Sequence, residues 1–254
     1  MNIPTNLGFT TKDIANAVQR KDIIIIIDVL RCCSTIITAL ANAADGVIPT
    51  RTLRYAHALR QKRPEFLLAG ERKGIKPKEF DLGNSPLEFS SPKVRGKSII
   101  LTTTSGVKAI ISSKDAEYVF IGALLNAKAV AKVALTIAEQ EKTGISLISA
   151  GTNSQFSLED FTGAGAIAQG FPADKVEHSD AVSGALLAFQ RAHGSLTRVI
   201  QSGSHARQLE RLGFEKDVKF CCRLNVFQIV PFFKGGTIVP FTKAVDKEGR
   251  INEF

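Results

Sequence analysis

The chain has 254 residues, 44% of them hydrophobic, which suffices for the core of one large α/β domain or two modest lobes. Its formal charge of +9, from 33 Lys and Arg against 24 Asp and Glu, favours anionic partners; the basic residues are dispersed, however, and two Tyr with no Trp offer little for base stacking, so nucleic acid is not an expected partner. The longest apolar run is five isoleucines, far short of the about 20 residues that span a bilayer, and no membrane segment is expected.

Met1 to Asn6 shows no basic region followed by an apolar stretch, so no signal peptide is evident and a cytoplasmic location is expected. Helical periodicity runs from near Lys12 to Arg20. Ile23 to Asp28 then reads as a buried strand, followed by a helix over Cys33 to Ala43, a strand over Val47 to Thr50, a helix over Leu53 to Arg60 and a strand over Phe66 to Ala69. The segment Glu71 to Pro86 mixes acids, bases, glycines and small polar residues without either regular period, which marks a functional loop at a strand's carboxyl end. Beyond it come a strand over Ser98 to Leu101, a helix over Gly106 to Ser112, a strand over Tyr118 to Ile121, a helix over Lys128 to Lys142 and a strand over Ser146 to Ser149. Alternation at this spacing predicts an α/β fold: a mostly parallel or mixed sheet with helices on both faces, in three α/β/α layers.

After Gly151 the pattern turns helical, over Leu158 to Gln169, Asp180 to Arg191, Ser195 to Ser202 and Ala206 to Leu212, a half expected to cover the active rim of the sheet. Short strands are predicted over Val218 to Cys222, Phe227 to Val230 and Thr237 to Val239, separated by Pro231 and Gly235-Gly236. No linker divides the halves, so the chain reads as one unit with a change of lobe near residue 150.

Four predicted strands run into polar clusters: Asp28-Val29-Leu30-Arg31, the Glu71 loop, Thr102-Thr103-Thr104-Ser105-Gly106, and Ala150-Gly151-Thr152-Asn153 followed by Leu158-Glu159-Asp160. Parallel strands would bring all four to one rim. In this order, DVLR, GERKG with FDLGNSP, TTTSG and AGTNSQFSLEDFTGAG resemble the 2-phosphosulfolactate phosphatase family. The likeness continues through SHARQLERLGFEKDVKFCC, from Ser204 to Cys222, into Val230-Pro231. It implies a magnesium-dependent enzyme that hydrolyses the phosphate ester of a small sulfonated hydroxy acid to sulfolactate and phosphate, and a homodimer.

Phosphoryl transfer needs charge neutralisation and a positioned nucleophile, and magnesium favours one or two carboxylates with waters and substrate oxygens. Asp28, Glu71, Asp81 and Asp160 are therefore the candidate metal ligands. Asp28, directly after five isoleucines, also reads as a cap for the following helix, and Glu71 and Asp81 as loop ion-pair partners. Arg31 and Arg72 follow strand-end acids closely and their guanidinium forks suit a phosphate or sulfonate, or a salt bridge to the neighbouring acid. With Asp28 and Glu159 they form the candidate catalytic set, although Glu159-Asp160 also fits the favourable start of a helix. Thr104, Ser105 and Gly106 resemble a helix amino terminus that holds an anion, Asn84 and Ser85 offer an amide and a hydroxyl, and Gly151 permits close backbone approach. Among the histidines, His205 alone merits a test.

Two departures from the family pattern stand out. Ser105 replaces the expected asparagine, and Cys32, Cys33 and Ser34 replace alanine and threonines, which leaves room for a different phosphorylated hydroxy acid. A non-catalytic binder of anionic metabolites is the rival of another class. The pairs Cys32-Cys33 and Cys221-Cys222 lack zinc-site spacing and read as small buried side chains, with a disulfide between the pairs or a thiol nucleophile as alternatives. Asp28 would also suit a covalent aspartyl-phosphate route, but Leu30 stands where haloacid-dehalogenase phosphatases carry a second acid, which weakens it.

Overall fold

The computed structural model describes residues 2–151, 155–241, 244–245 and 251–252. The chain opens with β1 (Ile3–Gly8), α1 (Thr11–Gln19), β2 (Ile23–Ile27), α2 (Cys32–Ala41), β3 (Gly46–Pro49), α3 (Leu53–Lys62) and β4 (Leu67–Gly70). Past the polar loop come α4 (Ser91–Val94), β5 (Ser98–Thr102), α5 (Gly106–Ser112), β6 (Val119–Gly122), α6 (Ala127–Glu141) and β7 (Ile145–Ser149). The second half carries α7 (Leu158–Ala168), β8 (Val176–His178), α8 (Asp180–Ala192), α9 (Leu196–Gln201), α10 (Ser204–Arg211), α11 (Glu215–Cys221), β9 (Pro231–Lys234) and β10 (Thr237–Pro240).

Ten strands form one mixed sheet in the order β4-β5-β3-β10-β9-β6-β2-β7-β1-β8. All five isoleucines of β2 are fully buried, because β6 and β7 flank the strand in parallel while α1 and α5 pack against it from one helical layer and α6 and α7 from another. The half of the chain after residue 150 returns β8, β9 and β10 to this same sheet.

The sheet contains two parallel blocks. β4, β5 and β3 run together, as do β6, β2, β7, β1 and β8, but the hairpin β9–β10 joins the blocks through antiparallel pairings, so the two blocks point in opposite senses. A single flat rim is thus not what unites the polar strand ends. Five strand-to-strand steps separate β5 from β2, and at the usual right-handed twist of about 20–25° per step that separation amounts to more than a right angle. The helix α5 bridges them, following β5 yet packing on β2.

Three sequence expectations need correction. Val218 to Cys221 is the end of helix α11, with Cys222 as its C-cap; Val218 and Cys221 are buried at the i, i+3 spacing of a helix face, and tertiary contact overrides their strand preference. No strand forms over 227–230; the strand begins at Pro231, which sits inside β9 and does not separate strands. β1 and β8 were not predicted: β1 lies between β7 and β8 and β8 has only three residues, so neither has the long alternation that marks a strand. The Gly235-Gly236 turn is as expected, with φ of 59° and 85° joining β9 to β10. Among the described residues no helix is long and apolar enough to cross a membrane.

Candidate active site

The strand ends converge on a cavity of about 370 Å³. Asp28 enters from the end of β2, Glu71 from β4, Thr103, Thr104 and Ser105 from β5, and Gly151 from beyond β7. Arg31 and Asn84 line it from neighbouring loops, and His205, Gln208, Leu209 and Leu212 close it from α10 and the residue that follows. Thr152 and Asn153 lie outside the described residues.

Asp28 has both of the roles read from its position. Its Oδ1 accepts a hydrogen bond from the Cys32 backbone N–H at 3.0 Å, capping α2, and its side chain lines the cavity. Burial raises its pKa to about 6, reinforced by the charges of Glu159 and Glu71 and opposed by His205 and the Cys32 N–H. Gly106 lies behind it rather than facing substrate: a Cβ there would stand 2.6 Å from both Asp28 Oδ2 and Cys32 Cβ. Cys32 and Cys33 are fully buried, and burial together with the Asp28 charge pushes both thiols well up, which removes them as nucleophiles. All four cysteines are free, so the disulfide alternative falls too.

Glu71 is locked by the loop that follows. Arg72 and Ile75 exchange backbone hydrogen bonds around a two-residue turn, with Lys73 and Gly74 at φ of 54° and 84°. Glu71 Oε2 accepts from the Gly74 N–H at 2.7 Å, and Oε1 accepts from the backbone and hydroxyl of Thr104 at 2.7 and 2.8 Å. Lys73 projects into the cavity lining. Arg72 does not: its guanidinium donates to the carbonyls of Glu71 and Arg51, because the turn points it back along the chain, so it is not brought to the site.

Asp81 is likewise held elsewhere. It pairs with Arg60 at 2.9 Å and accepts from the Leu68 N–H at 2.8 Å, along the flank of β4 and away from the cavity. Asp81→Asn is accordingly expected to leave kcat/KM within about twofold of wild type, the scale of a partly exposed ion pair. A steady-state assay showing a loss greater than tenfold would return Asp81 to the site.

Glu159 and Asp160 sit at the start of α7, both buried. Asp160 spends its oxygens on backbone, Oδ1 accepting from Val29 N–H at 2.8 Å and Oδ2 from Gly151 N–H at 3.1 Å, so it shapes two strand ends and does not line the cavity. Its pKa is raised by burial and by the charges of Asp28 and Glu159 against those two donors. Glu159 Oε1 meets His205 Nδ1 at 2.8 Å. Burial works to lower the His205 pKa, but the bond and charge of Glu159, with Asp28, outweigh it and the net shift is upward.

The remaining predicted residues divide. Asn84 lines the cavity, and its buried Oδ1 has no hydrogen-bond partner among the described residues. Ser85 points away, donating to Asp217 Oδ1 at 2.7 Å. Arg31 is nearly inaccessible, with Nη1 on Asp217 Oδ2 at 2.6 Å, Nη2 on the Gly74 carbonyl at 2.8 Å, and its Cζ 4.1 Å above the Phe214 ring. Sequence reasoning missed Asp217, Phe214 and Lys73. Asp217 stands immediately before the segment read as a strand, Val218 to Cys222; the pattern of buried Asp217, Val218 and Cys221 is the helical signal that could have found it.

The model of the 2-phosphosulpholactate phosphatase family matches residues 9–236. This chain belongs to that family. A protein of Thermotoga petrophila described as a probable 2-phosphosulfolactate phosphatase is 41% identical over 218 residues, covering 85% of this chain and 90% of the relative. Proteins with the same description from Caldanaerobacter subterraneus and Clostridium tetani are 38% and 34% identical, over 90% and 94% of this chain and 96% and 100% of theirs. The family match runs from the loop before α1 to the β9–β10 turn, so it includes every cavity residue named above.

Proposed function

We propose that this member of the family is a phosphatase that hydrolyses 2-phosphosulfolactate to sulfolactate and phosphate with magnesium as its cofactor. The charge balance of the cavity carries the reading. Arg31 is already neutralised by Asp217, so among the described lining residues Asp28 and Glu71 are balanced by Lys73 and by His205, whose pKa is raised by Glu159 and Asp28. A divalent cation beside Asp28 and Glu71 would offset their repulsion of a substrate bearing phosphate, carboxylate and sulfonate.

The residues suit magnesium, which takes one or two carboxylates and completes its shell with waters and substrate oxygens. Asp28 and Glu71 would hold it, and the unpartnered Asn84 Oδ1 marks polar capacity that the protein leaves unspent. Among the described residues no three His, Cys, Asp or Glu side chains gather into a metal-holding group, so the protein would supply only part of the shell. When bound, the cation neutralises charge on the phosphoryl oxygens. Ser105 and Lys73 bind and orient the anionic ends of the substrate, Thr104 holds Glu71 in place, and His205, held by Glu159, is the proton-carrying group of the lining. Four buried free thiols agree with a reducing compartment, and we place the enzyme in the cytoplasm.

The substrate question narrows to one departure from the family pattern. Cys32 and Cys33 are buried behind the lining, whereas Ser105 lines the cavity itself. This favours a second reading in which the same site accepts another phosphorylated hydroxy acid. Phosphate release from 2-phosphosulfolactate, phospholactate and an aryl phosphate, with magnesium and then with EDTA, separates the two. Magnesium-dependent release that prefers the sulfonated ester is the expected result. Turnover of phospholactate alone would select the second reading, and no metal-dependent release from any ester would overturn both.

A further inference from the structure

Asp217 lies 186 residues from Arg31 in the chain, on a helix that contributes no lining residue of its own, yet its bonds lead directly to the cavity. From Asp217 Oδ2 the connection passes to Arg31 Nη1 at 2.6 Å, from Arg31 Nη2 to the Gly74 carbonyl at 2.8 Å, and from the Gly74 N–H to Glu71 Oε2 at 2.7 Å. Glu71 Oε1 continues it to Thr104. The other oxygen of Asp217 accepts from Ser85 at 2.7 Å, which fixes the residue next to Asn84. Thus one carboxylate, 3% exposed, sets the register of three segments that belong to different parts of the sheet: the β2 end, the Glu71 turn and the Asn84 loop.

Stability alone is a weak account of this cluster. A buried ion pair gains little over an apolar pair of similar volume, because desolvation offsets most of its attraction. Arg31 is bonded to Asp217 directly, Gly74 and Asn84 lie one neighbour beyond, Glu71 follows Gly74 and Thr104 follows Glu71, and all five are cavity residues. Resting on the proposed phosphatase reading, we infer that Asp217 is a positioning residue: through Arg31 and Ser85 it holds the Glu71 turn and the Asn84 loop in the arrangement that receives the phosphate group. It touches no substrate itself. It also consumes the Arg31 charge, leaving room for a divalent cation beside Asp28 and Glu71.

The test compares wild type, Asp217→Asn, Asp217→Glu and Ser85→Ala in three measurements: kcat and KM on 2-phosphosulfolactate, the magnesium concentration for half-maximal rate, and the affinity for inorganic phosphate with magnesium, read by thermal shift. Losing an orienting partner behind a ligand-binding group costs about 10–100-fold, so Asp217→Asn should lose that much in kcat and about tenfold in phosphate affinity. Asp217→Glu should recover part of both, a rescue that a merely structural role would not show. Should Asp217→Asn fail to fold, Ser85→Ala keeps the Arg31 pair and should still lower kcat severalfold. Folded Asp217→Asn with wild-type kcat, magnesium requirement and phosphate affinity, or a silent Ser85→Ala, overturns the inference. Wild type that releases no phosphate from any ester but binds phosphate with an affinity that falls in Asp217→Asn would sink the proposed function and keep the inference, while wild type that binds no phosphate sinks both.

Discussion

Asp28→Asn is expected to lower kcat by about a thousandfold or more, the scale seen when a charged group that stabilises a phosphoryl transition state is lost, and yet to make the metal-free protein more stable at pH 8. Asparagine keeps the volume and, through Oδ1, the bond from the Cys32 N–H, so the fold is retained. What disappears is a carboxylate whose pKa stands at about 6 in the folded protein against an ordinary 3.8. Between these values the folded state holds a proton that the unfolded state has released, so stability falls as pH rises from about 4 to about 6, and the deficit is complete above that. Two pKa units correspond to roughly 3 kcal/mol. Melting curves in EDTA at pH 4 and pH 8 should therefore converge at the low value and separate in favour of Asp28→Asn at the high one. A mutant equally or less stable at pH 8 would mean that Asp28 is not a strained carboxylate, and a mutant with near-normal kcat would remove it from the chemistry.

Gly70→Ala should be the most damaging single methyl group in the chain near the site. Gly70 pairs with Thr102 across β4 and β5 at φ +136°, and a Cβ there would lie 1.9 Å from the Thr102 carbonyl oxygen. Backbone is the obstacle, so no side-chain rotation relieves it. Forbidden backbone geometry and overpacking together predict a loss of about 3–5 kcal/mol. Because the next residue, Glu71, donates its N–H to that same carbonyl at 2.9 Å, the displacement also moves a cavity carboxylate, and kcat should fall in whatever protein remains folded. Gly96→Ala is the control: φ is +65° but nothing lies within 4 Å, so only the left-handed backbone cost of about 1 kcal/mol applies. Urea denaturation that finds the two variants equally destabilised would show that the β4–β5 contact gives way easily.

Much of this was legible locally. Apart from the short α4, helices and strands from α1 to β7 follow from periodicity, and the strand-end positions of Asp28, Glu71, Thr104 and Gly151 follow from apolar runs that stop abruptly. Motif order identified the family before any contact was known. The weak points share one cause: β1 and β8 lack long alternation, and α11 has strand-forming residues whose helical state depends on what they pack against.

Residue identity and spacing alone therefore determined the α/β class, the family and the four clusters that supply the cavity. Only the tertiary structure decided which charged groups within those clusters act there. Arg31 and Arg72 look equivalent in sequence, as do Glu71 and Asp81, yet Arg72 and Asp81 are turned aside by the Arg51 carbonyl and by Arg60, while Arg31 is fixed by an acid from the far end of the chain. A side chain's partner depends on long-range packing and on the twist that brings two opposed blocks of strands together, and neither is written in local pattern.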